Sequence, residues 1–315
     1  MHVMHRRSSL PDAWAYRLAA GLLAVGVAHL GLQLLVGGPW TGPVSWRKPT
    51  TFGVSFGLTL ATVTWISALA GVPSVRRGLF LRAFAAASTV EVAVITVQAW
   101  RGVPSHFNTT TPLNAALAYS AAGGGAVLIA ATGVLLATVA RLDPGVPPSM
   151  RLALRIGVGT FAAALGTGAA MIALGVTAAR SGTLADAYAA AAPLKPAHGA
   201  LMHGVLVLPA LAWLATHTSW PEGRRVRSVA LGCGGYLLTA ATVPLAAATA
   251  GAARATWTGV AALGALGLAA AGLHTAQAVR HRGSGTAPAA ENHAVGAALI
   301  SSTAATFPRH APGER

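Results

Sequence analysis

The stretch from Pro112 to Val139, PLNAALAYSAAGGGAVLIAATGVLLATV, contains no charged residue over 28 positions. An α-helix needs about 20 apolar residues to cross the hydrocarbon core of a bilayer, which is about 30 Å thick. Similar apolar blocks recur along the chain, and alanine and glycine dominate them more than leucine does. Because small residues let neighbouring helices approach closely in lipid, this pattern predicts a compact membrane bundle.

Apolar runs separated by charged or Gly/Pro-rich breaks predict eight transmembrane helices. We place them at Trp14–Val36, Thr51–Ala70, Leu79–Trp100, Pro112–Val139, Leu152–Ala179, Ala197–Thr216, Ser228–Ala250 and Thr256–Val279. The predicted fold class is therefore all-α, a polytopic membrane helix bundle over residues 1–280. The remaining run, 281–315, is rich in Gly, Ala, Ser and Pro without clear periodicity, and it is predicted to be a mostly disordered cytoplasmic tail.

The composition excludes several other classes of protein. Hydrophobic residues make up 54% of the chain and charged residues only 9%, with seven acids in total, too few for the surface of a soluble domain. The net charge of +15 does not predict a nucleic-acid partner, because the basic residues sit at the ends of apolar blocks and not on one soluble face. The single cysteine, Cys233, excludes an intrachain disulfide and any CxxC motif.

The distribution of positive charge predicts the orientation of the chain. If the eight crossings are correct, 16 of the 22 Lys and Arg residues fall on one side of the membrane. The other side carries Arg47, Lys48, Arg101, Arg180, Lys195 and Arg254. Since cytoplasmic loops are enriched in Lys and Arg, both termini are predicted to be cytoplasmic. The Ala/Gly-rich composition is typical of a high-GC bacterium, which predicts the bacterial plasma membrane as the location and the lipid bilayer as the partner.

Three polar segments fall on the predicted outer face, where positive charge is otherwise scarce. They are Trp46–Pro49, Arg101–Asn108 and Lys195–His198, the last followed by His203. The second, fourth and sixth predicted helices begin on this face, so the positive ends of their dipoles attract anions there. The candidate ligand-binding residues are Arg47, Lys48, Glu91, Gln98, Arg101, Ser105, His106, Asn108 and His198. The alternative is that Arg47, Lys48 and Lys195 are interface anchors that reach toward lipid phosphates.

Three ionisable residues lie deeper in the predicted spans. At a rise of about 1.5 Å per residue, Glu91 lies roughly 15 Å, His29 roughly 12 Å and His203 roughly 10 Å from the outer ends of their helices. Glu91 is the one acid inside a predicted span, and an intramembrane carboxyl indicates a functional site unless it is protonated or paired. The similar depth of His29 and His203 makes them candidate metal or haem ligands. Each could instead be a neutral histidine that is hydrogen-bonded between helices.

The three outer segments resemble a family of bacterial multi-pass membrane proteins of unknown activity. The resemblance rests on W-x-K-P-x-x-F at Trp46–Phe52, E-x6-Q-x2-R-G-x2-S-H-F-N at Glu91–Asn108, and H-x4-H-x5-P at His198, His203 and Pro209. It covers roughly the second to the sixth predicted helix. The resemblance implies a site at these segments but brings no named reaction.

The sequence leaves several functions open. The first hypothesis is an outward-facing binding or transport site for a small anionic ligand or a lipid headgroup. The second is a membrane redox protein that holds b-type haem or a metal through His29 and His203. Membrane-embedded acid–base catalysis and a structural role within a larger complex are further hypotheses, although no known catalytic motif supports an enzyme. The sequence indicates neither the cofactor nor the oligomeric state.

Overall fold

The computed structural model describes residues 12–284, which form helices and connecting segments without a β-strand. The helices are α1 (Ala13–Val36), α2 (Arg47–Leu69), α3 (Ser74–Trp100), α4 (Pro112–Ala140), α5 (Pro148–Ser181), α6 (Leu184–Ala191), α7 (Lys195–Met202), α8 (Gly204–Thr216), α9 (Glu222–Ala248) and α10 (Gly251–Ser284), with a 3₁₀ turn at Ala192–Leu194 between α6 and α7.

Within residues 12–284, eight helical segments are long and apolar enough to cross a membrane. Seven of them are single helices, and the other, Leu184–Thr216, comprises α6, α7 and α8 in succession. The prediction of an all-α bundle with about eight transmembrane helices is therefore confirmed. The cytoplasmic placement of both termini remains a prediction from the charge distribution. Most of the predicted tail, from residue 285 onward, lies outside the described residues, and α10 continues as far as Ser284.

Two predicted helix boundaries are wrong in ways that affect the outer face. Helix α2 begins at Arg47, so Lys48 and Pro49 lie in its first turn and not before it. Proline fits this position because the first N–H groups of a helix have no helical acceptor. The sixth predicted helix begins earlier than Ala197, since a capping box between Thr183 and Asp186 starts α6.

The sixth span is also interrupted. Helix α7 ends at Met202 and α8 starts at Gly204, so His203 lies at the junction between them. One continuous helix with a kink at Pro209 was predicted here. The junction changes the direction in which His198 and His203 project, because they no longer belong to one continuous helix.

Close backbone contacts hold the first and last helix pairs together. A Cβ atom added to Gly53 of α2 would lie 2.6 Å from the Cα of Gly26 in α1, and one added to Gly235 of α9 would lie 2.5 Å from the carbonyl oxygen of Gly264 in α10. Such distances leave no room for a side chain. Glycine is therefore required at these crossings, as expected for helices that pack closely in lipid.

The centre of the bundle is formed by apolar side chains from α2, α3, α5 and α8. Leu60, Phe84, Leu154 and Leu208 are almost completely inaccessible to solvent, and they belong to one continuous core cluster. This core fixes α2 and α3 beneath the predicted outer end. The polar segments at that end therefore rest on a rigid base.

Candidate functional site

The segment that connects α3 to α4 closes over the predicted outer end of the bundle. Within it Phe107 adopts φ +62°, a left-handed conformation that bulky residues rarely adopt. Its ring packs edge-on against Tyr188 of α6, with the ring centroids 5.4 Å apart. The ring also fills the space beside Gly175 of α5, where an added Cβ would collide with it. The strained backbone is thus held in place by α5 and α6.

Tyr188 ties this connection to the sixth span. Its hydroxyl donates a hydrogen bond to the carbonyl oxygen of His106 at 3.0 Å and accepts one from the backbone N–H of His106 at 3.1 Å. Both backbone groups of one loop residue therefore depend on a side chain that is 82 positions away. The sequence analysis did not identify Tyr188 as a site residue.

Lys48 points into the same group of residues. Its ammonium donates to Ser105 Oγ and to the Tyr188 hydroxyl, both at 3.4 Å, and lies 4.7 Å from the centroid of the Tyr188 ring. We call Lys48, Ser105, His106 and Tyr188 the lysine cluster. The two hydrogen-bond partners of Lys48 are neutral hydroxyls. Its positive charge is therefore not balanced by a carboxylate within the cluster.

Other cations add to the positive charge around Lys48. Lys195, the other lysine of the chain, and Arg47 both lie close enough to act on the charge of Lys48. Arg47 donates its Nε–H to the carbonyl oxygen of Trp40 at 2.8 Å, so it points away from the cluster. Lys195 is exposed at the start of α7. The two lysines, each followed by proline, thus meet at the same end of the bundle.

His106 is the fourth member of the lysine cluster. Burial, together with the smaller effect of the Lys48 charge, lowers the pKa of His106 to about 4. Its imidazole is therefore neutral at physiological pH. The Nδ1 atom lies 3.1 Å from Ser105 Oγ, and Phe52 covers the ring at a centroid distance of 6.1 Å. A neutral imidazole adds a hydrogen-bonding group without adding charge.

A network of amide side chains lies next to the lysine cluster. Arg101 donates to Gln98 Oε1 at 2.5 Å and to Asn114 Oδ1 at 2.8 Å, and Gln98 donates to Asn114 Oδ1 at 3.2 Å. Asn108 donates to the carbonyl oxygen of Pro104 at 3.2 Å, and Gln98 approaches the same oxygen at 3.5 Å. We call Gln98, Arg101, Asn108 and Asn114 the amide network. It shapes the segment that presents Ser105 and His106.

Glu91 lies below the amide network, between α3 and α4. It is seven residues before Gln98 on α3, which corresponds to about 10 Å along the helix. The residue is only 7% exposed, and its carboxyl lies beside the backbone of Gly124 and Gly125, which have no side chains to cover it. Over residues 12–284 no hydrogen bond or ion pair is found for this carboxyl. A charged carboxylate is costly at such a position, which favours the protonated form.

The two histidines predicted as metal or haem ligands make hydrogen bonds to different parts of the protein. His29 donates from Nδ1 to the carbonyl oxygen of Val25 at 2.8 Å, and its Nε2 accepts from Trp100 Nε1 at 3.0 Å, so both ring nitrogens are engaged. The Trp46 ring packs beside it, 6.1 Å away. His203 is exposed at the α7–α8 junction, and its Nδ1 donates to the carbonyl oxygen of Gly199. Among residues 12–284 no group of three or more His, Cys, Asp or Glu is placed to hold a metal ion.

The predicted site residues therefore occupy three different places. Lys48, Ser105 and His106 belong to the lysine cluster, with Gln98, Arg101 and Asn108 in the adjoining amide network and Arg47 at their edge. Glu91 lies beneath them. His198 is elsewhere on α7, where its Nδ1 lies 2.8 Å from the carbonyl oxygen of Ala164 in α5.

Two members of the site, Tyr188 and Asn114, were missed by sequence analysis. Asn114 carries a weak signal, since it is an amide near the start of an otherwise apolar block. Tyr188 is one of only four tyrosines in the chain, and it lies in a segment that was predicted to be a connection between helices. Neither signal identifies a partner, because both residues act through contacts with distant parts of the chain.

Comparison of the chain with protein-family models, curated protein sequences and solved structures finds no match. The chemistry of the site must therefore be inferred from its own geometry.

Proposed function

We propose that the protein binds a small anion or an anionic lipid headgroup at the lysine cluster, on the outer side of the membrane, and that it is a binding or transport protein for that ligand. The observation that carries this proposal is the environment of Lys48. Its ammonium is half-buried, the two hydroxyls that accept its hydrogen bonds are neutral, and a second lysine lies nearby.

Uncompensated charge makes an anion favourable at this position. A half-buried ammonium is destabilised by the loss of water and by repulsion from Lys195 and Arg47. An anion that contacts Lys48 and Lys195 would replace the lost water at the ammonium and offset the repulsion between the two lysines. The first turn of α2, which contains Lys48, adds the positive end of its helix dipole.

The neutral members of the cluster supply directional contacts. Ser105 carries a hydroxyl that can turn toward an anion, and His106 can donate from a neutral ring. The Tyr188 hydroxyl holds the backbone of His106 in place beside them. Lys48 belongs to the first sequence motif, and Ser105 and His106 belong to the second. Their direct contact supports the inference that these motifs form one functional unit in the family that the chain resembles.

The deeper carboxyl supports transport in addition to binding. Glu91 lies along the same α3–α4 boundary as Gln98 and Asn114 and has no partner among the described residues. A neutral carboxylic acid inside a membrane span can take part in proton transfer. The haem alternative has less support, because His29 engages both of its ring nitrogens with protein groups.

Anion binding can be tested by thermal stabilisation of the purified protein in mild detergent. Inorganic phosphate, sulfate and acetate would be titrated separately, since a ligand that binds only the folded state raises the melting temperature with concentration. We expect at least one of them to stabilise the wild-type protein. Lys48→Gln should weaken that ligand by about tenfold or more, because one charge-assisted contact is lost.

Arg254→Gln is the matched control for this experiment. Arg254 is another cation on the predicted outer side, but it is exposed and donates its Nε–H to the carbonyl oxygen of Thr249. The same anion should then be tested for uptake into proteoliposomes, where Lys48→Gln should reduce uptake and Arg254→Gln should not. Equal anion affinity in the wild-type protein and Lys48→Gln would refute the proposed site.

A further inference from the structure

An open cavity of about 570 Å³ lies at the opposite end of the bundle, where α9 begins and α10 ends. Its walls include Ser219, Trp220, Arg224, His274, Gln277 and His281. Each of these side chains carries a group that can donate a hydrogen bond, and none of them is a carboxylate. The lining is therefore suited to an anion and not to a cation.

Arg224 is held in the cavity by stacking. Its guanidinium lies 4.4 Å from the centroid of the Trp220 ring, and its Nη2 lies 3.4 Å from Nε2 of His274. The rings of Trp220 and His274 are 4.9 Å apart and inclined by 33°. Stacking occupies the flat face of a guanidinium and leaves N–H groups on its edge free. Those groups match two oxygens of a phosphate in a bidentate contact.

The nearest carboxylate in the sequence does not neutralise Arg224. Glu222 accepts a hydrogen bond from the backbone N–H of Ser149 at 2.8 Å through Oε1. Its other oxygen, Oε2, lies 3.6 Å from Arg225. Both oxygens of Glu222 thus contact groups other than Arg224, at the start of α5 and in the first turn of α9. The positive charge of Arg224 remains available to a ligand.

We propose that this cavity binds a phosphate group, presented either by an anionic lipid of the inner leaflet or by a free phosphate compound. The cavity lies at the end of the bundle that carries most of the basic residues, which is predicted to face the cytoplasm. Anionic headgroups of that leaflet attract basic residues near the surface. Trp220 suits this depth because its ring is apolar and its N–H is polar. The site is separate from the lysine cluster and does not depend on it.

Native mass spectrometry of the full-length protein tests this proposal. The protein would be equilibrated with phosphatidylglycerol, phosphatidylcholine, glycerol 1-phosphate or inorganic phosphate, each in a separate experiment. We expect phosphatidylglycerol, or one of the two soluble phosphates, to be retained by the wild-type protein. Arg224→Gln should weaken that retention by about tenfold, as expected for the loss of a charge-assisted contact.

Arg227→Gln is the matched control, because Arg227 is an exposed cation on the same helix outside the cavity lining. His274→Asn is a second test, with a smaller expected loss.

Retention of phosphatidylglycerol that depends on Arg224 identifies the lipid as the source, whereas the same dependence with a soluble phosphate identifies a free ligand. Equal losses in Arg224→Gln and Arg227→Gln would indicate general surface attraction and overturn the proposal, as would retention of none of these probes. Repeating the comparison in the Lys48→Gln background lowers anion binding at the lysine cluster, so a loss that Arg224→Gln causes in that background is assigned to this cavity.

Discussion

Replacing Tyr188 by Phe tests the contact that assembles the candidate site. The substitution keeps the ring that packs on Phe107 and lies near Lys48, and it removes only the hydroxyl. Without that oxygen, the backbone N–H and C=O of His106 lose their side-chain partner. The ammonium of Lys48 loses one of its two hydrogen-bond acceptors.

The magnitude of the effect can be worked out from these contacts. A buried polar group that is left without a partner costs about 1–3 kcal/mol. Tyr188 and His106 are only partly buried, so water can replace some of the lost bonds and the low end of that range applies. Counting about 1 kcal/mol for each backbone group of His106, we expect a loss of about 2 kcal/mol. At about 2–4 °C per kcal/mol, the melting temperature should fall by about 4–8 °C.

The chain provides its own reporter for this measurement. Cys233 is the only cysteine and is 4% exposed, so a maleimide dye that fluoresces on reaction with thiols will report its exposure during heating. Tyr119→Phe is the control, because Tyr119 is 69% exposed on α4. If Tyr188→Phe and Tyr119→Phe melt at the same temperature, Tyr188 does not anchor the connection between α3 and α4.

Two further predictions concern ionisable groups. The pKa of His106 is about 4 in the folded protein, against 6.5 for a free histidine. Between these pH values the unfolded chain therefore binds more protons than the folded protein. The stability of the folded protein should then fall as the pH drops from about 6.5 to about 4. Melting curves at pH 7.5 and 5.0 should show a smaller loss of melting temperature for His106→Gln than for the wild-type protein. Equal losses would contradict a neutral imidazole at His106. A hydrophobic carbodiimide, which reacts with protonated carboxyl groups, should label Glu91 in the intact protein but not the paired Glu222. Mass spectrometry of digested protein would detect this, and labelling of Glu222 in place of Glu91 would show that the Glu91 carboxyl is not protonated in the membrane.

Most of the fold could be predicted because its main signal is local. An uncharged run such as Pro112–Val139 has to cross the membrane as a helix, whatever the rest of the chain does. The sixth span was harder, because α6 is only eight residues long and too short to be recognised as part of a crossing. Its start signal, a Thr183 and Asp186 capping box, marks the start of a helix but does not show that the helix belongs to a membrane crossing.

The site was predictable only in part, for a physical reason. Lys48, Ser105 and His106 were identified because polar residues are conspicuous at the ends of apolar blocks. The sequence does not predict which ring nitrogen of His29 accepts a hydrogen bond, since this depends on Trp100, which is 71 positions away. The role of Tyr188 depends in the same way on a contact between α6 and a distant connection. Spacing along a helix contains no information about such pairs.

The glycine crossings at the two ends of the chain also bear on how the protein assembles during synthesis. Gly26 and Gly53 join α1 to α2, and Gly235 and Gly264 join α9 to α10, so both pairs unite sequence neighbours. The first hairpin can close in the membrane as soon as α2 leaves the ribosome, before any other span exists, because contacts between near neighbours form quickly. Lys48 would then be positioned early, and the sixth span that carries Tyr188 would complete the lysine cluster only later in synthesis.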